Sequence, residues 1–293
     1  PHGASSDPKD KAGLTQMALD MLDEGTTRRS APEFSDALEL LGARLSMQAR
    51  REGSSIALRA TQQTFPEALS LMAEAITQPA LDPAEWERVK SLHEQDLQQR
   101  DDDPAQVGAL VASRRLFGEG HPFSWPLDGD RASAARITLD DVKRRLPALL
   151  RPGSATLLIA GALTKDEAQS LANRSFGAWA SAGDALTSPA VAPPAARPLE
   201  VVLVHRPGAV QTVVRFAWSA PRWADEDRVG LDLLNTILGG SFTSRLNQNL
   251  RETHGYTYGA GSRFVLMPSL GVASAQSAVR ADVTGASVAE MLR

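Results

Sequence analysis

Arg251 and Tyr258, seven residues apart, carry the side chains best suited to chemistry in this sequence. Both lie in the stretch from Gly239 to Ala260. There a glycine pair, Gly239-Gly240, ends an apolar helix carrying Leu231, Leu234, Ile237 and Leu238. A short amphipathic turn follows, with Leu246 and Leu250 on one face. His254-Gly255 breaks that helix, and Tyr256, Tyr258 and Ala260 then alternate as a strand does. A guanidinium leaving the last helical turn and a phenol rising from the strand can converge on one point. That pairing suits gripping a peptide carbonyl, because both groups donate hydrogen bonds and one is permanently charged. The alternative is that Arg251 pairs with a nearby acid and Tyr258 fills the core.

The 293 residues are ample for two domains. Hydrophobic content of 42% and charged content of 23% are those of an ordinary globular protein. With 31 Lys+Arg against 35 Asp+Glu the net charge is −4, so there is no basic footprint for nucleic acid. Cysteine is absent, which removes disulfides and thiolate metal sites. The five histidines, His2, His93, His121, His205 and His254, form no pair at helical spacing. The residues alone therefore indicate no metal site. No apolar run reaches the about 18 residues a membrane helix needs. Pro1-His2-Gly3-Ala4 is not a signal peptide and reads as a loop in the middle of a chain.

Periodicity and punctuation supply the elements that must hold the pair. Helices are expected over 14–23, 32–41, 65–77, 83–100, 105–116, 139–150 and 164–179, each bounded by Ser, Thr, Asp, Pro or Gly signals. Strands are expected over 44–47, 54–61, 155–160, 200–205 and 210–219. Residues 188–198, rich in proline and alanine, read as an extended linker. The expected division is a first α+β domain over 1–187, a linker over 188–199 and a second domain over 200–293.

The two halves share a grammar. Gly13-Leu14 and Gly230-Leu231 each begin a helix, an offset of 230 − 13 = 217. The same offset carries the strand 55–60 onto 272–277 and the helix start 65–76 onto 282–293. Two similar α+β domains are expected, with the second copy incomplete.

Two blocks make the chain resemble the pitrilysin/insulinase family of zinc peptidases, which includes the mitochondrial processing peptidases. One is Asp7-Pro8-Lys9-Asp10-Lys11-Ala12-Gly13-Leu14 followed by Glu24-Gly25-Thr26. The other is Gly239-Gly240 with Ser244-Arg245-Leu246, Arg251-Glu252, Gly255 and Tyr258. Gly120-His121-Pro122-Phe123 is a weaker echo. The resemblance implies an antiparallel sheet with helices on one face, duplicated within the chain. In active members a helix after the first block carries His-x-x-Glu-His, in which two histidines hold zinc and the glutamate activates water. Here the matching positions are Gln16, Leu19 and Asp20. Leucine has no titratable group to act as a base, and one carboxylate cannot replace two imidazoles. Glu94 and Asp96 stand near the third-ligand position. The family's zinc site is therefore absent, and with it any catalytic or metal-binding residue of the family's kind in this chain.

Arg251 and Tyr258, by contrast, fall on the arginine–tyrosine pair that holds substrate in the family. Some bacterial members divide the zinc motif and this pair between two subunits, and this chain looks like the one keeping the pair. The resemblance implies a non-catalytic, substrate-binding subunit of a heterodimeric metallopeptidase. Its partners would be a homologous subunit bearing the zinc motif and a peptide substrate, with zinc in that other subunit and no cofactor here. The same fold also serves as a structural or peptide-binding scaffold, which is the competing expectation. A third is a rearranged metal site using His93, Glu94 or His121. Compartment is unreadable from the residues, and the resemblance alone favours the periplasm.

Overall fold

The structure is a computed structural model that describes residues 2–180, 186, 191–195 and 198–293. Its elements run α1 (Leu14–Asp20), α2 (Ala31–Leu40), β1 (Arg44–Ala49), β2 (Ser54–Arg59), α3 (Phe65–Thr77), α4 (Pro83–Asp102), α5 (Pro104–Phe117), α6 (Arg131–Arg136), α7 (Leu139–Leu149) and α8 (Lys165–Phe176). They continue with β3 (Gln211–Ala220), α9 (Arg228–Asn235), α10 (Arg245–Asn247), β4 (Thr257–Leu266), β5 (Gly271–Arg280) and α11 (Thr284–Met291). No described helix is long and apolar enough to cross a membrane.

The chain divides into two compact units, one of residues 1–97 and 126–189, the other of 98–125 and 190–293. Residues 98–125 thus group with the second unit, although the sequence expectation kept them inside 1–187. The reason is packing: α5 lies against β3, and its end builds a small apolar cluster of Phe117, Phe123 and Leu270. Part of the expected linker, 188–190 and 196–197, lies outside the described residues. Of the rest, Ala192 offers its carbonyl to His121 Nε2 at 2.9 Å.

In the first unit β1 and β2 form an antiparallel hairpin, Arg44 opposite Arg59 through Ala49 opposite Ser54. Beneath it, α1 packs on α7 and places Leu14, Met17, Ala18 and Leu19 in the main core with Trp86, Val89, Val142 and Leu146. The helix starts follow local chemistry. Ser30 with Glu33, Thr138 with Asp141, and Thr164 with Glu167 form reciprocal capping boxes that satisfy otherwise orphaned amides. A buried ion pair, Arg145 Nη2 to Asp7 Oδ1 at 3.0 Å, anchors the loop before α1, with Thr15 bonded to both partners. Burial pushes the Asp7 carboxyl above its ordinary range despite the pull of Arg145 and Thr15. The turn at 26–29 is tied down by the buried Glu74, which accepts from Thr26, Arg28 and Arg29.

The second unit holds a three-stranded antiparallel sheet in the order β3-β5-β4. One face carries the cluster of Leu246, Leu250, Ala260 and Ala275, with Phe216, Leu238 and Met291 packed at its margin. The repeat offset of 217 survives in three dimensions. It carries α1 onto the end of α9, β1 onto β4, β2 onto β5 and α3 onto α11. Mixed α/β units with antiparallel sheets and helices are what the sequence leads one to expect.

Two expected strands are not strands. Residues 155–160 and 200–205 are without ladder partners among the described residues, and Leu158, Val201 and Leu203 are exposed. An apolar, β-branched run has the propensity, but only inter-strand hydrogen bonds make a strand. The apolar helix before the glycine pair forms as expected but stands uncovered among the described residues. None of α9 is buried, and Val229, Leu233, Leu234 and Ile237 stand exposed.

Candidate functional site

The stretch 239–260 folds largely as its residues dictate. Beyond α9 the chain widens into a π-helical turn, Thr236–Gly240, and beyond α10 into a second one, Gln248–Thr253. Such wide turns concentrate at functional sites because they re-aim side chains within a helix. Gly239 is obligatory: a Cβ there would meet the Ser262 amide nitrogen of β4 at 2.3 Å. Gly255 has φ +64, the left-handed conformation that ends the second turn.

Tyr258 stands on an irregularity of the sheet. Thr257 opposes Val279, but the next pair is Ala260 with Ser277, so β4 spends three residues where β5 spends two. This is a β-bulge, a device that turns a side chain out of the regular alternation. Polar groups hold it from both sides. On the sheet side, the Thr257 hydroxyl donates to the Ala278 carbonyl at 2.7 Å, and the Ser277 hydroxyl to the Gly259 carbonyl at 3.0 Å. On the helix side, the Ala260 amide donates to Asn247 Oδ1 at 2.9 Å. Asn247 Nδ2 in turn donates to the Ser241 carbonyl (3.1 Å) and the Ser244 hydroxyl (3.3 Å). One buried asparagine therefore joins the glycine loop, the short helix and the bulge. The regular alternation of Tyr256, Tyr258 and Ala260 read from sequence is replaced by this arrangement.

The outcome is that Tyr258 is 91% exposed. Arg251 leaves the second π-helical turn with its guanidinium carbon 4.3 Å from the centre of the Phe242 ring. Glu252 Oε1 is 3.5 Å from Arg251 Nε, and the arginine side chain remains 35% exposed. Arg251 and Tyr258 line one cleft of about 430 Å³ with Phe242, Asn247, Val213 and Gln276. The cleft therefore offers one cation, one phenol and exposed backbone, a donor set for a peptide carbonyl.

Gln16, Leu19 and Asp20, which the resemblance sets at the zinc-motif positions, are each engaged within the first unit. Gln16 is committed at both ends: Nε2 donates to Asp20 Oδ1 at 2.6 Å, and Oε1 accepts from the Ala49 amide at 2.9 Å. Leu19 is 0% exposed inside the main core. Burial pushes the Asp20 carboxyl up to about 6, with Asp23, Asp96 and Glu24 adding repulsion against the bond from Gln16. Glu94 and Asp96 are exposed. These residues do not fit zinc, since the set offers no imidazole and its amide is spent on the backbone. Among the described residues no cluster of three or more His, Asp or Glu could hold a metal. His93 Nε2 donates to the Asp128 carbonyl at 2.9 Å. His121 is likewise engaged: Nδ1 accepts from the Phe123 amide at 3.0 Å, and the ring stacks on Phe117.

Asn247 escaped sequence reasoning, as did the bulge. Polar residues on a short helix are ordinary surface residues by default. The only available signal was the run Thr257-Tyr258-Gly259, where a glycine inside a strand pattern marks a bulge.

Comparison with known proteins places this geometry. The family model of the peptidase M16 inactive domain matches residues 136–293, and that of insulinase (peptidase family M16) matches residues 1–116. An uncharacterized zinc protease of Mycobacterium leprae is 26% identical over 269 residues, covering 91% of this chain and 60% of the relative. Subunit 1 of the bovine mitochondrial cytochrome b-c1 complex is 24% identical over 217 residues, covering 74% of this chain and 45% of its own. The crystal structure of a peptidase M16 inactive domain from Pseudomonas fluorescens superposes with a TM-score of 0.90 at 26% identity, over 99% of this chain and 70% of that one. Pitrilysin shares the fold at a TM-score of 0.72 and 16% identity, over 100% of this chain and 32% of its own. This chain thus spans about 60% of the length of the Mycobacterium leprae and Mycobacterium bovis relatives it matches. The chain belongs to peptidase family M16, the pitrilysin/insulinase family.

Proposed function

We propose that this chain is a non-catalytic, substrate-binding subunit of a heteromeric zinc metallopeptidase, donating Arg251 and Tyr258 to the zinc site of a homologous partner. The observation that carries the reading is the state of Tyr258. A bulge held by the side chains of Thr257, Ser277 and Asn247 presents a phenol that is 91% exposed, beside a guanidinium in the same cleft. A tyrosine kept for the core would be buried, and one this exposed gains nothing for stability. The zinc-motif positions, spent on a backbone contact and on the core, support a partner as the source of the metal. Ranges 1–187 and 200–293 are proposed as the two copies of the family domain, joined by 188–199. The peptide would be held through backbone hydrogen bonds to β3 or β4, the edge strands of the three-stranded sheet.

The experiment is reconstitution. The chain is mixed with a His-x-x-Glu-His homologue from the same genome, and cleavage of an unfolded peptide is measured with and without Arg251→Ala and Tyr258→Phe. Losing one oxyanion-type donor lowers kcat by about 10²–10³-fold. Unchanged cleavage with either variant would refute the donated pair.

A scaffold role is the second reading, favoured by the likeness to a cytochrome b-c1 subunit and by the bare apolar face of α9. It requires that Arg251 and Tyr258 serve no partner's zinc site, so cleavage by the reconstituted pair should be unchanged by Arg251→Ala and Tyr258→Phe.

A further inference from the structure

Phe242 lies in the loop between the first π-helical turn and α10, and it is 65% exposed. An aromatic ring stabilises a fold by leaving water, so a phenylalanine this open contributes little to the core. The loop that carries it is nevertheless fixed. The Ser241 hydroxyl donates to the Thr236 carbonyl at 3.2 Å. The Ser241 carbonyl accepts from the Ser244 amide and from Asn247 Nδ2, both at 3.1 Å. A ring open to solvent is thus presented from an ordered turn.

What that ring meets is Arg251, whose guanidinium carbon stands 4.3 Å from its centre. Among the described residues the Arg251 side chain makes no hydrogen bond, and the one acid beside it is Glu252, 3.5 Å from Nε and half exposed. An ion pair so open to water is too weak to fix a long side chain. The ring restrains it in another way, because an aromatic face attracts a cation without supplying an acceptor atom. A carboxylate in the same place would also hold Arg251, but it would neutralise the charge and take up N–H donors. Phe242 leaves both for whatever enters the cleft, which the ring and the guanidinium line together. An arginine ordered beforehand also has less rotamer freedom to lose when a ligand arrives.

We infer that Phe242 is the positioning residue of the cleft: its ring holds the Arg251 guanidinium in place, charged and with its N–H donors unspent, ready for a peptide carbonyl. This rests on the cleft being the peptide site proposed above and adds the residue that prepares it. The ring acts through Arg251, so its removal matters only while Arg251 is present.

The test uses the full chain, first without peptide. In NMR of the arginine side chains, the Arg251 Nε–H should be ordered and displaced by the ring current of Phe242. Phe242→Leu keeps an apolar side chain but has no aromatic face, and should return that signal to the position and mobility of an exposed arginine. Phe242→Tyr keeps the face and should preserve the signal. Tm should be unchanged in both variants, because the ring is mostly in water. Affinity for a short fluorescein-labelled peptide of Gly, Ser and Leu, amidated at its C-terminus, is then read by anisotropy. Phe242→Leu should weaken binding about fivefold and Phe242→Tyr by less than about twofold. In a chain already carrying Arg251→Ala, Phe242→Leu should change affinity no further. That coupling separates positioning from a ring that touches the peptide itself, which would lower affinity in either background. An Arg251 side chain as ordered in Phe242→Leu as in the unaltered chain, or equal losses of affinity with and without Arg251, would overturn the inference. If the unaltered chain binds no peptide, the reading of the cleft fails, and the side-chain signal alone decides whether Phe242 positions Arg251.

Discussion

Asn247→Ala is the sharpest perturbation of the candidate site, because one side chain makes three bonds that no other group replaces. Asn247 is 7% exposed. Truncation leaves the Ala260 amide buried without an acceptor, at a cost of about 1–3 kcal/mol. It also deprives the Ser241 carbonyl and the buried Ser244 hydroxyl of a donor, adding about 0.5–1 kcal/mol. The sum, about 1.5–4 kcal/mol, falls on a local structure and not on the whole chain, so the suitable measurement is amide exchange read at Ala260 by NMR. At a factor of ten per 1.4 kcal/mol, exchange should quicken about 10- to 700-fold. Asn247→Asp retains the acceptor for Ala260 and should quicken it by less. Because the same bond pins the bulge, peptide affinity should fall in Asn247→Ala and equally in Tyr258→Ala. Exchange at Ala260 within about threefold of the unaltered chain would refute the reasoning, since an orphaned buried amide cannot be that cheap.

Three further outcomes follow from the geometry. Gly239→Ala drives a methyl into the β4 backbone and should lower the unfolding free energy by about 3 kcal/mol in urea titration, more than overpacking a yielding core would; a loss under about 1 kcal/mol would show that the loop moves away freely. Leu19→Glu places a carboxylate in the main core and should cost about 3 kcal/mol or more at pH 7. The folded-state pKa of that glutamate would be raised, so part of the loss should return as pH falls, and a pH-independent deficit would argue for strain instead. Asp20, with its folded pKa near 6 and an unfolded one near 4, binds more protons folded than unfolded between those values, so its contribution to stability declines as pH rises from 4 to 6. Asp20→Asn should therefore gain about 2 kcal/mol at pH 7 relative to pH 4, and equal gains at both pH values would contradict the buried carboxyl.

Local chemistry was the legible part of this sequence. Capping boxes at Ser30, Thr138 and Thr164, the break at Gly255 and the offset between Gly13 and Gly230 each rest on contacts within a few residues or on a pattern repeated whole. What stayed hidden depends on partners far along the chain. Residues 155–160 and 200–205 have strand composition, yet pairing is a property of two segments and one cannot announce it. Residues 98–125 join the second unit because α5 meets β3 about a hundred residues later in sequence, which periodicity does not encode. Around the cleft, Arg251 and Tyr258 stand out in the sequence through spacing and resemblance, whereas Asn247 acquires meaning only from the atoms it faces. The apolar stripe of α9 is a different case: the helix was legible, but a pattern states what wants covering and not what covers it.

The burial of Leu19 also bears on how such a chain can change over generations. A glutamate at that position is useful only when two histidines flank it, and without them it is simply a charge in an apolar core. Regaining the motif one substitution at a time must therefore pass through a destabilised intermediate, while Gln16 would first have to surrender the Ala49 amide. Stability thresholds purge such intermediates. At the three positions proposed as a former zinc motif, packing at one leucine works as a ratchet: a charge cannot enter there without cost, so the present residues are easier to keep than to exchange.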